Sequence, residues 1–193
     1  MERSAMTIAR EQNVWTDEAF MALPEDGGPY ELVNGEVIQI GNSGMEHGNL
    51  GTFLGGVIEV YVRPKKLGAT CDSSTAFTMK TGNRRSPDVS FVARERLQGM
   101  KRLPKGYFQG APDLAVEVLS PNNTFEEIHN KLVEYFDNDC RLAWVINPDE
   151  QWVLVYRQPQ PDRLLKITDS LDGEEVIPGF TLPVAELFAE LDF

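Results

Sequence analysis

Apolar and polar positions alternate along this chain with a period that changes several times, and each change predicts an element. Thr16-Asp17-Glu18 ahead of Ala19-Phe20-Met21 predicts a short helix, capped by Thr16 with acids in its first turn and ended by Pro24 and Gly27-Gly28-Pro29. Residues 30–40 then alternate around Asn34-Gly35, the strongest short signal for a two-residue hairpin. In residues 45–62 the apolar positions Leu50, Phe53, Leu54, Val57, Ile58 and Tyr61 recur at intervals of three and four, which predicts a helix ended by Arg63-Pro64. Gly48, Gly51, Gly55 and Gly56 weaken that helix and would let a neighbour pack closely.

Residues 69–80 suit one or two short strands with a turn at Lys80–Asn83. Val89–Val92 and Leu114–Leu119 are short runs rich in β-branched residues, as interior strands are. The segment 94–112 between them reads as an exposed loop or short helix. Ser120–Thr124 predicts a turn, with Asn123 or Thr124 capping a helix to about Asp137. Leu142–Ile146 and Trp152–Tyr156 read as strands joined at Asn147–Glu150, with edge strands at Leu164–Ile167 and Glu175–Ile177 and a closing helix over Pro183–Leu191. Helices and strands intermixed in this order predict an α/β (α+β) fold with a mixed sheet. We find neither an internal repeat nor a linker, so 1–193 is expected to be a single domain, with 1–14 a flexible N-terminal extension.

Hairpin geometry sharpens the reading of residues 30–40. With a two-residue loop, Val33 pairs with Glu36 and Glu31 pairs with Ile38, so all four side chains share a face. Either Glu31 and Glu36 form a partly enclosed acidic patch, or that face is solvated.

Composition narrows the class. Apolar content of 41% and charged content of 25% are those of an ordinary soluble protein. No apolar stretch reaches the roughly 20 residues that cross a bilayer, and the N-terminus lacks an apolar signal core. The expected location is cytoplasmic. Cys71 and Cys140 lack the spacing of a zinc site or a disulfide framework. A net charge of −12 argues against a broad basic surface. Arg84, Arg85, Arg94, Arg96, Lys101, Arg102 and Lys105 nevertheless fall close together, as either a nucleic-acid patch or a solvated loop.

Candidate chemistry rests on three separated residues. Asp88 opens one interior strand, Glu117 lies inside the other, and Lys131 lies in the helix that follows. A carboxylate among strand-forming apolar residues is costly to bury without a partner. Two such strands side by side, with a lysine reaching over, would make a small oxygen-ligand site for a hard cation, as Mg²⁺-dependent phosphodiester cleavage requires.

The ordered set Tyr30–Glu36, His47, Ser86–Val92, Pro112–Pro121, Lys131 with Tyr135, Leu142–Pro148, Val155–Arg157 and Pro178–Phe180 resembles the Uma-two-type restriction endonuclease family of the PD-(D/E)xK nuclease superfamily. The resemblance runs from about residue 15 to the C-terminus. It implies a restriction-endonuclease-like core, a central mixed sheet flanked by helices behind an N-terminal hairpin. It implies metal binding by Asp88 and Glu117, with the Val118 carbonyl a further donor, and Mg²⁺ or Mn²⁺ as cofactor. In the superfamily signature the lysine stands two residues after the second acid. Here that position is Leu119, and the family is similar in moving the lysine to the next helix, which maps to Lys131. Glu31, Glu36 and His47 are expected to complete the site. The implied activity is DNA endonuclease, and a homodimer would supply the two sites that cutting both strands needs. The alternatives are an inactive nuclease-fold interaction or regulatory module, and a carboxylate-pair glycosidase, in which Lys131 would have no task.

Overall fold

The computed structural model describes residues 15–24, 30–40, 44–121 and 123–190. The 1–14 extension lies outside that range. The first helix, α1, spans Asp17–Met21, with the Thr16 hydroxyl accepting from the Ala19 amide as a cap. Strands β1 (Tyr30–Val33) and β2 (Glu36–Gln39) form the expected hairpin in the expected register, Val33 opposite Glu36 and Glu31 opposite Ile38. Asn34 and Gly35 both take positive φ, 53° and 83°, which a two-residue hairpin turn matched to strand twist demands.

The helix α2 spans Met45–Lys65 and buries Leu50, Leu54, Ile58 and Val62, one residue per turn. Phe53, counted in the apolar stripe from sequence, is not in the core and is 38% exposed. Strands β3 (Gly68–Asp72), β4 (Phe77–Thr78), β5 (Arg84–Arg85), β6 (Val89–Ala93), β7 (Phe108–Gln109) and β8 (Leu114–Val118) follow. Then come α3 (Phe125–Asp137), β9 (Leu142–Asn147), β10 (Trp152–Tyr156), β11 (Pro161–Leu165), β12 (Ser170–Asp172), β13 (Thr181–Pro183) and α4 (Val184–Leu187).

A six-stranded sheet in the order β11-β10-β9-β8-β6-β3 forms the centre. Its one parallel pair is β8 with β9, and α3 makes the crossover that a parallel pair requires. Side-chain alternation on β8 divides its residues between two cores. Leu114, Val116 and Val118 point to the core under α2 and the C-terminal segment. Ala115 points to the core under α3, with Ala143 and Val145 of β9 beside it. Glu117, at the same parity as Ala115, therefore faces α3. A smaller sheet, β2-β1-β5-β4-β7, brings the hairpin alongside.

Two features fix α3 over that face. Thr124 and Glu127 form a reciprocal capping box, the Thr124 amide donating to Glu127 Oε2 at 2.9 Å and the Glu127 amide to Thr124 Oγ1 at 3.2 Å. Ile128, Leu132 and Tyr135, at helical spacing, bury the underside.

Several elements differ from expectation. Glu175–Ile177 is a turn, held by the Val176 and Ile177 amides donating to the Gly173 carbonyl. Val176 and Ile177 are apolar because they plug the α2-side core, and core plugging and strand pairing leave the same mark in sequence. The closing helix is the single turn Val184–Leu187. Residues 94–112 hold a 3₁₀ turn at Arg94–Leu97 and the short strand β7.

The basic cluster also splits. Arg94, Lys101, Arg102 and Lys105 are exposed, whereas Arg84 and Arg85 are buried. Arg84 grips Asp17 at 2.6 Å and lies over the Phe20 ring, pinning α1 to β5.

Candidate active site

Glu117 is 5% exposed and carries its carboxylate into the space beneath α3. Lys131 reaches it from the helix, Nζ standing 3.0 Å from Glu117 Oε2. The Tyr135 hydroxyl donates to Glu117 Oε1 at 2.6 Å. Residues four apart lie on one helix face, so Lys131 and Tyr135 address both carboxylate oxygens from the same side.

Glu31 arrives from the hairpin. Its Oε1 lies 3.3 Å from Lys131 Nζ and accepts from the Ser86 amide at 3.2 Å, while Oε2 accepts from Arg85 at 2.9 Å. Arg85 in turn donates to Glu134 Oε2 at 2.6 Å. Glu134, one turn beyond Lys131 on α3, also accepts from Asn83. A buried ionic lattice thus joins β1, β5, β8 and α3.

Asp88 closes the group from the start of β6. Its Oδ2 accepts the Val118 amide at 2.7 Å, which ties it to the residue after Glu117. His47, in the first turn of α2, places Nε2 2.9 Å from the Val118 carbonyl oxygen and 3.3 Å from Asp88 Oδ2. Two of the three oxygen donors expected to bind metal therefore converge on one point, and His47 Nε2 occupies it.

Electrostatics follow from the census. Glu31, Asp88, Glu117 and Glu134 bring four carboxylates against the two permanent cations Lys131 and Arg85. Burial pushes the Glu117 carboxyl up to about 7, and the Asp88 and Glu31 charges add to this against the pull of Lys131 and the Tyr135 hydroxyl. The His47 imidazole is raised, chiefly by its hydrogen bond to Asp88 and against the effect of burial. Lys131 is raised too, because the Glu117 and Glu31 charges outweigh its desolvation. With the Glu117 carboxyl ionised and His47 neutral, the pocket carries surplus negative charge and favours a further cation.

Among the described residues no group of three or more His, Cys, Asp or Glu side chains has the geometry of a metal-ligand set. The expected set is of a different kind: two carboxylates and one backbone carbonyl. That donor set fits a hard cation such as Mg²⁺, which keeps waters and substrate oxygens in its remaining positions.

Of the residues singled out from sequence, Asp88, Glu117, Val118, Lys131, Glu31 and His47 come together. Glu36 does not. It sits exposed beside the turn, where the hairpin leaves the protein body. Sharing a face with Glu31 was insufficient, because only the β1 end of that face is covered. Tyr135, Arg85 and Glu134 belong to the site and were not among the expected residues. The 131, 134, 135 spacing on one helix face was the available signal for two of them.

No helix among the described residues is long and apolar enough to cross a membrane. No curated protein matches the chain. A crystal structure described as "a putative nuclease belonging to DUF820 from Anabaena variabilis" matches with a TM-score of 0.77 at 24% identity, covering 91% of this chain and 98% of that one. At that identity the likeness establishes a shared fold, a mixed α/β architecture with its sheet flanked by helices. The Uma2 family model, described as "Putative restriction endonuclease", matches residues 17–185. That span contains both faces of the central sheet and every side chain of the ionic lattice, and over it the chain belongs to the Uma2 family.

Proposed function

We propose that the chain is a divalent-metal-dependent endonuclease that hydrolyses DNA phosphodiester bonds. The observation that carries this reading is the surplus of carboxylate over cation around the end of β8, with Lys131 drawn onto Glu117 and Glu31.

Asp88, Glu117 and the Val118 carbonyl would hold Mg²⁺ or Mn²⁺, which when bound supplies Lewis-acid neutralisation of the phosphate and a more acidic water. Lys131 keeps an ammonium beside the carboxylates, where it offsets charge on the phosphate and orients the attacking water. Glu31, braced by Arg85 and the Ser86 amide, fixes the position of that ammonium. Tyr135 fixes the Glu117 rotamer by donating to Oε1. His47 Nε2, which stands between Asp88 and the Val118 carbonyl, would have to swing aside to admit the ion and would then be free to donate to a phosphate oxygen or an ordered water. A homodimer would present the two sites that double-strand scission needs.

One observation favours the second reading, a nuclease-fold interaction module without catalysis. Both Glu117 oxygens already have protein donors, Lys131 and Tyr135. Nicking of supercoiled plasmid in millimolar Mg²⁺ or Mn²⁺ separates the two. Under the catalytic reading, nicking by the wild type disappears in Asp88→Ala and in Lys131→Ala. A folded wild type that binds neither ion and nicks nothing would establish the module.

A further inference from the structure

Among the described residues, Lys65, Lys66, Arg94, Lys101, Arg102 and Lys105 are exposed and have no carboxylate partner. Nearly every other Arg and Lys stands within ion-pair distance of an acid. Lys166, the remaining cation without a carboxylate, lies past β11 at the far edge of the central sheet.

The fold gathers the six at one end. Lys65 and Lys66 close α2, and the Leu67 carbonyl accepts the Arg94 amide at 2.8 Å, where β3 starts beside the end of β6. Leu97, Leu103 and Lys105 line one hollow with Ala69 of β3 and Val92 of β6, so the loop carrying Lys101 and Arg102 folds back onto the same end. Residues 94–105 carry five Arg and Lys against the single acid Glu95, in a chain whose net charge is −12. A cation group kept apart from the protein's own surplus of carboxylates is the electrostatic mark of a phosphate-binding surface.

This end and the candidate active site lie at opposite ends of the same elements. Asp88 opens β6 and Arg94 follows its last residue, about 20 Å of extended chain. His47 lies in the first turn of α2 and Lys66 caps its last, roughly 28 Å along the axis. At about 3.4 Å per base pair these spans match about six to eight base pairs of duplex. Duplex DNA is stiff over such a length. One seated with a phosphate at Asp88 and lying along α2 and β6 brings further phosphates to the cations. Among the described residues the active-site end supplies no unpaired Arg or Lys, so the backbone affinity of a DNA substrate has to come from elsewhere.

We propose that the end of α2 and the 94–105 loop form a second DNA contact, which binds duplex phosphates about six to eight base pairs from the scissile one. The inference rests on the nuclease reading for the position of the scissile phosphate, but phosphate binding at this end can be measured without cleavage.

The test is anisotropy of a labelled duplex longer than two helical turns, in Ca²⁺ and over a range of KCl concentrations. The wild type is compared with the double variants Lys101→Ala/Arg102→Ala and Arg94→Ala/Lys105→Ala, and with Lys166→Ala as the control. Circular dichroism checks that each variant keeps the fold. Each double variant is expected to bind at least fivefold more weakly at low salt. Its slope of log K against log salt should fall by about 2, since each phosphate contact contributes about 0.9. Lys166→Ala should match the wild type. Unchanged affinity and slope in either folded double variant overturns the proposal, as does wild-type binding that is tighter to phosphatidylserine vesicles than to the duplex. Should the wild type nick plasmid while the double variants bind as it does, the nuclease reading stands without this contact. Should the double variants lose duplex binding while no form nicks in Mg²⁺ or Mn²⁺, the contact stands and the nuclease reading fails.

Discussion

Lys131 Nζ lies 3.0 Å from Glu117 Oε2, although one residue belongs to a helix and the other to the strand before it. The strand position two residues after the acid is Leu119, which shares the α3-side face with Glu117 and packs against the core there, so this chain has no ammonium at that position. Moving the lysine to the crossover helix restores it to the carboxylate from above. Removing it leaves Glu117 and Glu31 facing each other in a buried space. We expect Lys131→Met to abolish nicking and to cost about 3–5 kcal/mol at pH 8, as breaking a buried ion pair does. Urea denaturation at pH 8 and pH 5.5 checks this, with the smaller loss at pH 5.5, where Glu117 can protonate.

Glu117 gives the metal-free protein a pH dependence of known sign. Its carboxyl is raised from an ordinary 4.5 to about 7, so between those values the native state binds the additional proton. The stabilisation is complete below about pH 4.5 and is lost as pH rises through about 7, on the order of 3 kcal/mol in all. His47 is also raised and contributes in the same direction, from its ordinary 6.5 upward. Thermal melting against pH should therefore show stability falling toward pH 8. Glu117→Gln should flatten the lower part of that fall.

Divalent ions should reverse the trend. An ion that needs ionised Glu117 competes with its proton, so Mg²⁺ or Mn²⁺ should raise the melting temperature more at pH 8 than at pH 5.5. A shift of equal size at both pH values would remove Glu117 from the ligand set. The His47 C–H resonances should move on the same titration, because His47 Nε2 contacts both Asp88 and the Val118 carbonyl.

The two hairpin glutamates should separate cleanly. Glu36→Ala changes an exposed residue and should alter stability by less than about 0.5 kcal/mol with nicking intact. Glu31→Ala leaves Arg85 and Lys131 without a shared partner and should cost about 3–5 kcal/mol and most of the activity. Denaturation midpoints and nicking rates for the pair provide the comparison.

Asp113 offers a control. Like Asp88 it follows a proline, and like Glu117 it is buried. Its carboxylate is spent on the Ala93 amide at 2.7 Å and on Arg141 at 2.9 Å. Asp113→Asn should lower the melting temperature while leaving the nicking rate per folded molecule unchanged. Rate and folded fraction measured on one sample decide it.

Much of this was legible before any coordinates. The Asn34-Gly35 turn set the hairpin register, the capping residues Asn123 and Thr124 marked the start of α3, and the apolar runs around Asp88 and Glu117 marked interior strands. The failures share a cause. Glu36 was expected in the site with Glu31 and is exposed, whereas Arg84 and Arg85, read as part of a basic patch or a solvated loop, are buried. Which charges are covered depends on how the small sheet folds over α3, a long-range outcome with no local pattern. Glu175–Ile177 misled for a similar reason, since an apolar pair such as Val176-Ile177 reads alike in a strand and in a core-plugging turn.

The capping box at Thr124 and Glu127 has a consequence beyond ending frayed amides. A helix advances about 100° per residue, so the place where its first turn begins decides the azimuth of everything downstream. Lys131 follows the cap by nearly two full revolutions and points where it does because Thr124 is the origin. An inserted or deleted residue in α3 between the cap and Lys131 would swing the ammonium about a quarter-turn away from Glu117 while leaving every functional residue present in the sequence. Chains that carry all the right residues but have slipped in that interval would look competent to any inventory and be silent at the bench.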